Sequence, residues 1–108
     1  SSQCTWWAYL RRHQLGLPVG SYFGNGQDWA NSARAHGYWV DNTPRHKGDV
    51  MVFRAGQEGA SSVYGHVAIV ESINADGTVT ISECGASLNG KPVSRTLSNV
   101  NDFQYIHY

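Results

Sequence analysis

The hydrophobic period of this chain changes at Gly48, and that change limits the folds open to it. Before Gly48, apolar residues recur at helical spacing: Cys4, Trp6, Trp7, Ala8, Leu10 and Leu15 within 4–15, then Trp29, Ala30 and Ala33 within 27–36. After it the spacing becomes strand-like. Asp49–Arg54, Gly65–Ile73, Thr78–Cys84, Val93–Leu97 and Phe103–His107 read as strands, separated by Gly, Asn and Ser clusters. Helices followed by a run of strands predict an α+β fold, with N-terminal helices packed on a small antiparallel sheet. At 108 residues there is room for one domain and one core, and neither linker nor repeat divides the chain.

Local signals fix the ends of these elements. Gly16 and Pro18 stop the first helix, Gly20–Gly26 reads as a loop, and Gly37 lies just past the second helix. The apolar residues of the first helix cover a wide arc and leave Tyr9, Arg12 and His13 on a polar strip, so the helix is expected to be mostly buried. Asn74-Ala75-Asp76-Gly77 is a strong hairpin turn. As a four-residue loop it pairs Ile73 with Thr78 and sets Glu83 opposite Ala68. His66 then shares a face with Glu83, at a diagonal spacing of roughly 7–8 Å. A loop one residue longer or shorter would put the two on opposite faces.

The charge balance argues against several partners. Eight basic and eight acidic residues cancel, and Lys47 and Lys91 are the only lysines. With no basic run, nucleic acid and anionic lipid are not expected as partners. The longest apolar stretches, Val50–Phe53 and Val67–Val70, are too short to cross a membrane. The chain does not begin with Met and carries no signal peptide. It is expected to be a module of a longer secreted protein, so the missing signal is silent on location.

The chemistry concentrates at three places. Cys4 stands at the start of the first helix, where the helix's partial positive charge favours a thiolate. His66 begins an apolar strand, and Glu83 can orient its ring. A helix-terminal Cys with an imidazole brought in from elsewhere is a common way to make a nucleophilic sulfur, and it points to a cysteine hydrolase. Taken alone, Cys4 reads as a small buried hydrophobe and His66 as a core or rim residue; the shared face of His66 and Glu83 tips the balance. Cys84, one residue past Glu83, faces the other way and reads as a core thiol rather than half of a disulfide. Gln3 is open between an exposed pre-helix residue and an oxyanion donor beside the Cys4 N–H. Tyr22, Phe23, Trp29 and Tyr64 are candidates for a cleft wall, whereas Trp6 and Trp7 are expected to pack. Asp49 reads as a structural turn residue. His13, His36, His46 and His107 lack ligand spacing and read as surface or loop residues, and the thiol chemistry itself needs neither a metal nor an organic cofactor.

Five phrases in order, Gln3-Cys4-Thr5-Trp6-Trp7-Ala8, Gly24-Asn25-Gly26…Trp29, Gly48-Asp49-Val50, Gly65-His66-Val67-Ala68-Ile69-Val70 and Ser82-Glu83, resemble the CHAP domain, the cysteine, histidine-dependent amidohydrolase/peptidase of bacterial and phage cell-wall enzymes. The resemblance spans essentially the whole chain. It implies a papain-like α+β core, secretion or cell-wall association, other domains in the parent chain, and hydrolysis of a peptidoglycan amide. Its nucleophile matches Cys4, its base His66 and its orienting acid Glu83. Many members carry Asn two residues after that acid, where this chain has Gly85. The bond cut is either N-acetylmuramoyl–L-alanine or one within the stem or cross-bridge peptide. A papain-like peptidase cutting after D-glutamate is one rival reading. A wall-binding or surface-antigen module without turnover is another.

Overall fold

The structure, a computed structural model, describes residues 2–17, 19–85 and 91–108. Two helices, α1 (Ser2–Gln14) and α2 (Trp29–Ala35), lead into β1 (Val40–Asp41), β2 (Val50–Phe53), β3 (His66–Ile73), β4 (Val79–Glu83), β5 (Val93–Leu97) and β6 (Gln104–Ile106). The strands form one six-stranded antiparallel sheet in the order β1-β6-β2-β3-β4-β5. This is the α+β fold expected from the period change, with each expected strand found to within about a residue of its place. Two features were not legible. The two-residue β1 is too short to show a period, and the C-terminal β6 inserts between β1 and β2, a pairing across most of the chain.

Both faces of the central strands are covered, which is why every residue of β2 is buried. Val50, Val52, Val67, Ile69 and Ile106 face the helices, where Ala8, Phe23, Trp29, Ala30 and Ala33 meet them. Met51, Phe53, Ala68, Val70, Val79, Ile81, Phe103 and Tyr105 make a second core on the opposite face. Burying each Val, Ile or Phe contributes roughly 1.5–3 kcal/mol relative to leaving it exposed.

The first helix buries a narrower stripe than its composition suggested. Cys4, Ala8 and Arg12, spaced four apart, are buried, while Trp6 is 50% exposed. Arg12 is therefore not on a polar strip. Its guanidinium lies under the helix and donates to the carbonyls of Gly48 (3.1 Å), Ile106 (3.2 Å) and His107 (3.4 Å), tying α1 to the start of β2 and the end of β6. His107 is likewise no surface residue. It is fully buried, with Nε2 2.7 Å from Asp41 Oδ1 and Nδ1 2.8 Å from Asp49 Oδ2.

The β3–β4 register corrects the expected turn and keeps its consequence. Ile73 pairs with Val79 rather than Thr78, so the loop is Asn74–Thr78, one residue longer than expected. Asn74 N donates to Thr78 O at 2.8 Å, and Asp76 Oδ1 accepts from the Thr78 amide and hydroxyl, which draws Thr78 into the turn. By itself this would turn Glu83 away from His66. A bulge at Glu71 between Val70 and Ser72 then shifts the ladder by one, restoring Ile69 opposite Ser82 and, one step on, Ala68 opposite Glu83. The bulged Glu71 accepts two hydrogen bonds from Arg11 (2.9 Å each) and one from Ser82 Oγ (2.7 Å), which in turn accepts from Trp7 Nε1 (3.0 Å). The extra residue thereby anchors α1 on the sheet. Among the described residues, no helix is long and apolar enough to cross a membrane.

Candidate active site

Cys4 lies in the first turn of α1 and is only 5% exposed. Its sulfur is in hydrogen-bonding contact with the His66 ring and the Val67 amide. Burial opposes ionisation, but these hydrogen bonds and the imidazolium charge outweigh it and hold the thiol pKa below its ordinary value. His66 is the first residue of β3, where groups from the helix layer and from the opposite sheet face can both reach its ring. Its Nε2 lies 2.9 Å from Glu83 Oε1, which leaves Nδ1 for the sulfur. Burial pulls the imidazole pKa down, yet contacts with Cys4 and Glu83 prevail and raise it to about 9. Glu83 moves the opposite way: burial is outweighed by hydrogen bonds from His66 and Arg95, and its pKa is lowered. Sulfur, ring and carboxylate thus form one continuous chain.

Arg95 is the member that sequence reasoning missed. It donates Nε to Glu83 Oε2 at 2.8 Å and Nη2 to Oε1 at 2.9 Å, while Nη1 holds Glu58 O at 2.8 Å. The signal is its place on β5: Arg95 pairs with Ile81, two residues from Glu83 on the same face. Seeing it required the β4–β5 register. At Gly85, where many CHAP members carry Asn, an added Cβ would meet nothing within 4 Å.

The Gly24-Asn25-Gly26 phrase positions His66 from behind. The 3-10 turn Gly26–Asp28 packs on the segment before β3, with Gln27 N on Tyr64 O (2.9 Å) and Gln27 Nε2 on Val63 O (2.7 Å). The approach is so close that a Cβ on Gly26 would stand 2.7 Å from both the N and the Cα of His66. Only glycine fits there.

A cavity of about 210 Å³ opens beside the Cys4 turn, lined by Thr5, Trp6, Tyr9, Gly20, Ser21, Phe23, Gly24 and Trp29. Phe23 and Trp29 meet edge to face at 5.6 Å, and Trp29 Nε1 donates to Gly24 O at 3.1 Å, which fixes the wall. Of the four aromatic residues expected to line a cleft, Phe23 and Trp29 do so. Tyr22 stands 95% exposed in solvent, and Tyr64 lies outside the lining. Trp6, expected to pack, is instead a lining residue. Gln3 is partly buried in the first turn, immediately before Cys4. Cys84 is a buried free thiol whose pKa is raised by burial and by the Cys4 charge.

A sulfur poised beside a charged imidazole, itself braced by a carboxylate and a guanidinium, can attack a carbonyl carbon while the imidazolium protonates the group that leaves. The α+β frame places this arrangement within a known class of protein. Residues 1–85 match the model of the CHAP domain, and the chain belongs to that family. It is 43% identical over 105 residues to Staphylococcus aureus "Probable autolysin LDP", covering 96% of this chain and 35% of that protein. It is 38% identical over 108 residues to N-acetylmuramoyl-L-alanine amidase sle1 of Staphylococcus saprophyticus, covering 97% and 31% respectively. A crystal structure of N-acetylmuramoyl-L-alanine amidase from Staphylococcus aureus superposes on 97% of the chain with a TM-score of 0.89 and 38% identity, and this chain covers 30% of it. The chain therefore spans about a third of the length of these relatives.

Proposed function

We propose that this chain is the catalytic domain of a secreted or wall-associated peptidoglycan hydrolase, one part of a longer protein, cutting the N-acetylmuramoyl–L-alanine amide by a thiol mechanism. The observation that carries the reading is the continuous contact from Cys4 through His66 to Glu83. The names of the relatives sle1 and the superposed amidase favour this bond over those within the stem or cross-bridge peptide.

In the proposed reaction the Cys4 sulfur adds to the lactyl carbonyl carbon. The oxyanion forms against the Cys4 N–H, which points off the helix N-terminus, and against the Gln3 side chain. His66 gives its proton to the alanine nitrogen, the C–N bond breaks, and a thioester remains. Water then loses a proton to His66, adds to the thioester carbon, and the sulfur departs as thiolate, releasing the muramic carboxylate. Glu83 keeps its proton count throughout and stabilises the imidazolium. Each oxyanion contact typically lowers the barrier by ~2.7–4 kcal/mol.

Mass spectrometry of muropeptides from digested, purified sacculi tests the reading. The expected products are free stem peptides with an L-alanine amino terminus and peptide-free glycan, absent in Cys4→Ala. New amino termini within the stem or cross-bridge would replace the amidase by an endopeptidase. No product from reduced, folded protein would favour the wall-binding module.

A further inference from the structure

Where β2 begins and β6 ends, three side chains converge, each with one buried polar atom that makes no hydrogen bond. His46 and Asp49 stand on the turn entering β2, and His107 follows β6. One donor atom from each lies within 4.8 Å of the others. His46 Nδ1, Asp49 Oδ1 and His107 Nδ1 are all shielded from solvent and all lack a hydrogen-bond partner. Orphaned buried polar atoms each cost about 1–3 kcal/mol, so three pointing at one spot call for an occupant. Asp49 lies 2.8 Å from His107 Nδ1 through Oδ2 and 3.5 Å from His46 Nδ1 through Oδ1, yet neither histidine nitrogen makes a hydrogen bond. Asp49 Oδ2 is committed to the amides of Arg45 (2.8 Å) and His46 (2.9 Å).

We propose that His46, Asp49 and His107 form a structural zinc site, with water as the fourth ligand. Two imidazole nitrogens and one carboxylate oxygen suit a borderline cation such as Zn²⁺. Bonds of ~2.0–2.1 Å in a tetrahedron set ligand atoms about 3.3 Å apart, close to the observed 3.5 Å between His46 Nδ1 and Asp49 Oδ1. A second contact supports the assignment. Asp41 Oδ1 lies 2.7 Å from His107 Nε2, which puts the proton on Nε2 and aims the Nδ1 lone pair into the cluster. A carboxylate behind a histidine is the usual outer support of a zinc ligand. Without a cation, that lone pair faces Asp49 Oδ2 at 2.8 Å, a repulsive contact.

The charged neighbours are accounted for. Arg45 is paired with Asp41 at 2.7 Å, and Arg12, whose charge acts on Asp49, donates to backbone carbonyls. The His46 side chain is 41% exposed, so its edge gives the metal a way in. Asp49 precedes Val50, while His66 pairs with Phe53 at the other end of β2, which sets the two sites roughly 13 Å apart along the strand. The ion would pin the turn before β2 to the end of β6 without entering the hydrolytic chemistry.

The test uses tag-free protein carrying Cys4→Ala, because a thiolate would itself take zinc. Chelator-stripped protein is titrated with Zn²⁺ at pH about 7.5, where free imidazoles are neutral, and melted with and without the ion. We expect one zinc per chain, a higher Tm on zinc addition, and four-coordinate absorption bands with Co²⁺. His46→Ala should stay folded and lose both the shift and the binding, and Asp41→Asn should weaken binding by about 10–100-fold. Absence of saturable binding, or equal affinity in folded His46→Ala, would overturn the zinc site.

Discussion

Arg95 closes on Glu83 with two hydrogen bonds, Nε to Oε2 at 2.8 Å and Nη2 to Oε1 at 2.9 Å, and the same Oε1 takes the His66 ring at 2.9 Å. The carboxylate is therefore fixed in the orientation that His66 needs, and its charge is shared between two cations. Orientation and charge are separable by mutation.

Arg95→Met should lower kcat by up to about 100-fold, the scale of a small displacement in a catalytic group, with KM little changed. Without the guanidinium, the full Glu83 charge falls on His66, so the alkaline limb of the rate profile should move upward. Arg95→Lys should restore part of the rate. A merely structural Arg95 would change Tm and leave that limb in place.

Glu83→Gln keeps the shape and a hydrogen bond but removes the charge that helps raise His66 to about 9. In the proposed reaction, His66 loses its proton as pH rises through about 9 and can then no longer protonate the leaving amine, so kcat/KM is expected to fall there. In the variant that fall should begin at lower pH, with a severe loss of kcat and a smaller change in KM. An unmoved alkaline limb would separate Glu83 from the imidazole.

Gly26→Ala should damage both stability and rate, because its Cβ would lie 2.7 Å from His66 backbone atoms that cannot swing aside. Overpacking of this kind costs about 1–3 kcal/mol, and each kcal/mol lowers Tm by roughly 4–8 °C in a domain of this size. Thermal melts and initial rates together read the effect. Unchanged values for both would mean that the turn Gly26–Asp28 does not hold His66 in place.

Arg12→Met should be the most destabilising single change on α1. It preserves bulk but strands the buried carbonyls of Gly48, Ile106 and His107. Losing hydrogen bonds to a buried cation costs about 1.5–3 kcal/mol each, and a loss of more than about 10 °C in Tm is expected. Whatever fraction remains folded should hydrolyse at near wild-type kcat, since Cys4 lies two turns away.

The Glu83 register is where sequence and structure differ most instructively. The turn chemistry of Asn74–Gly77 located the hairpin, and alternation placed Glu83 on the His66 face. The loop is nevertheless one residue longer, because Asp76 captures the Thr78 amide and hydroxyl. Glu71 compensates by bulging, and nothing local in Val70-Glu71-Ser72 announces this. Its cause is the reach of Arg11 and Ser82 to the Glu71 carboxylate.

The sequence by itself determined what is periodic or local: two helices, then strands, and a thiol in the first turn of a helix. It also carried the phrases that align Cys4, His66 and Glu83 with the CHAP family. Such features depend on side-chain spacing of two or 3.6 residues, which a linear reading can measure. The tertiary structure alone decided what depends on distant neighbours. It set β6 between β1 and β2, turned Arg12 inward, and buried His107 between Asp41 and Asp49. It brought Arg95 to Glu83 across β4 and β5. A polar residue on a helix or past a strand reads as solvated until its partner arrives, and the partners of Arg12, Arg95 and His107 all come from segments distant in sequence.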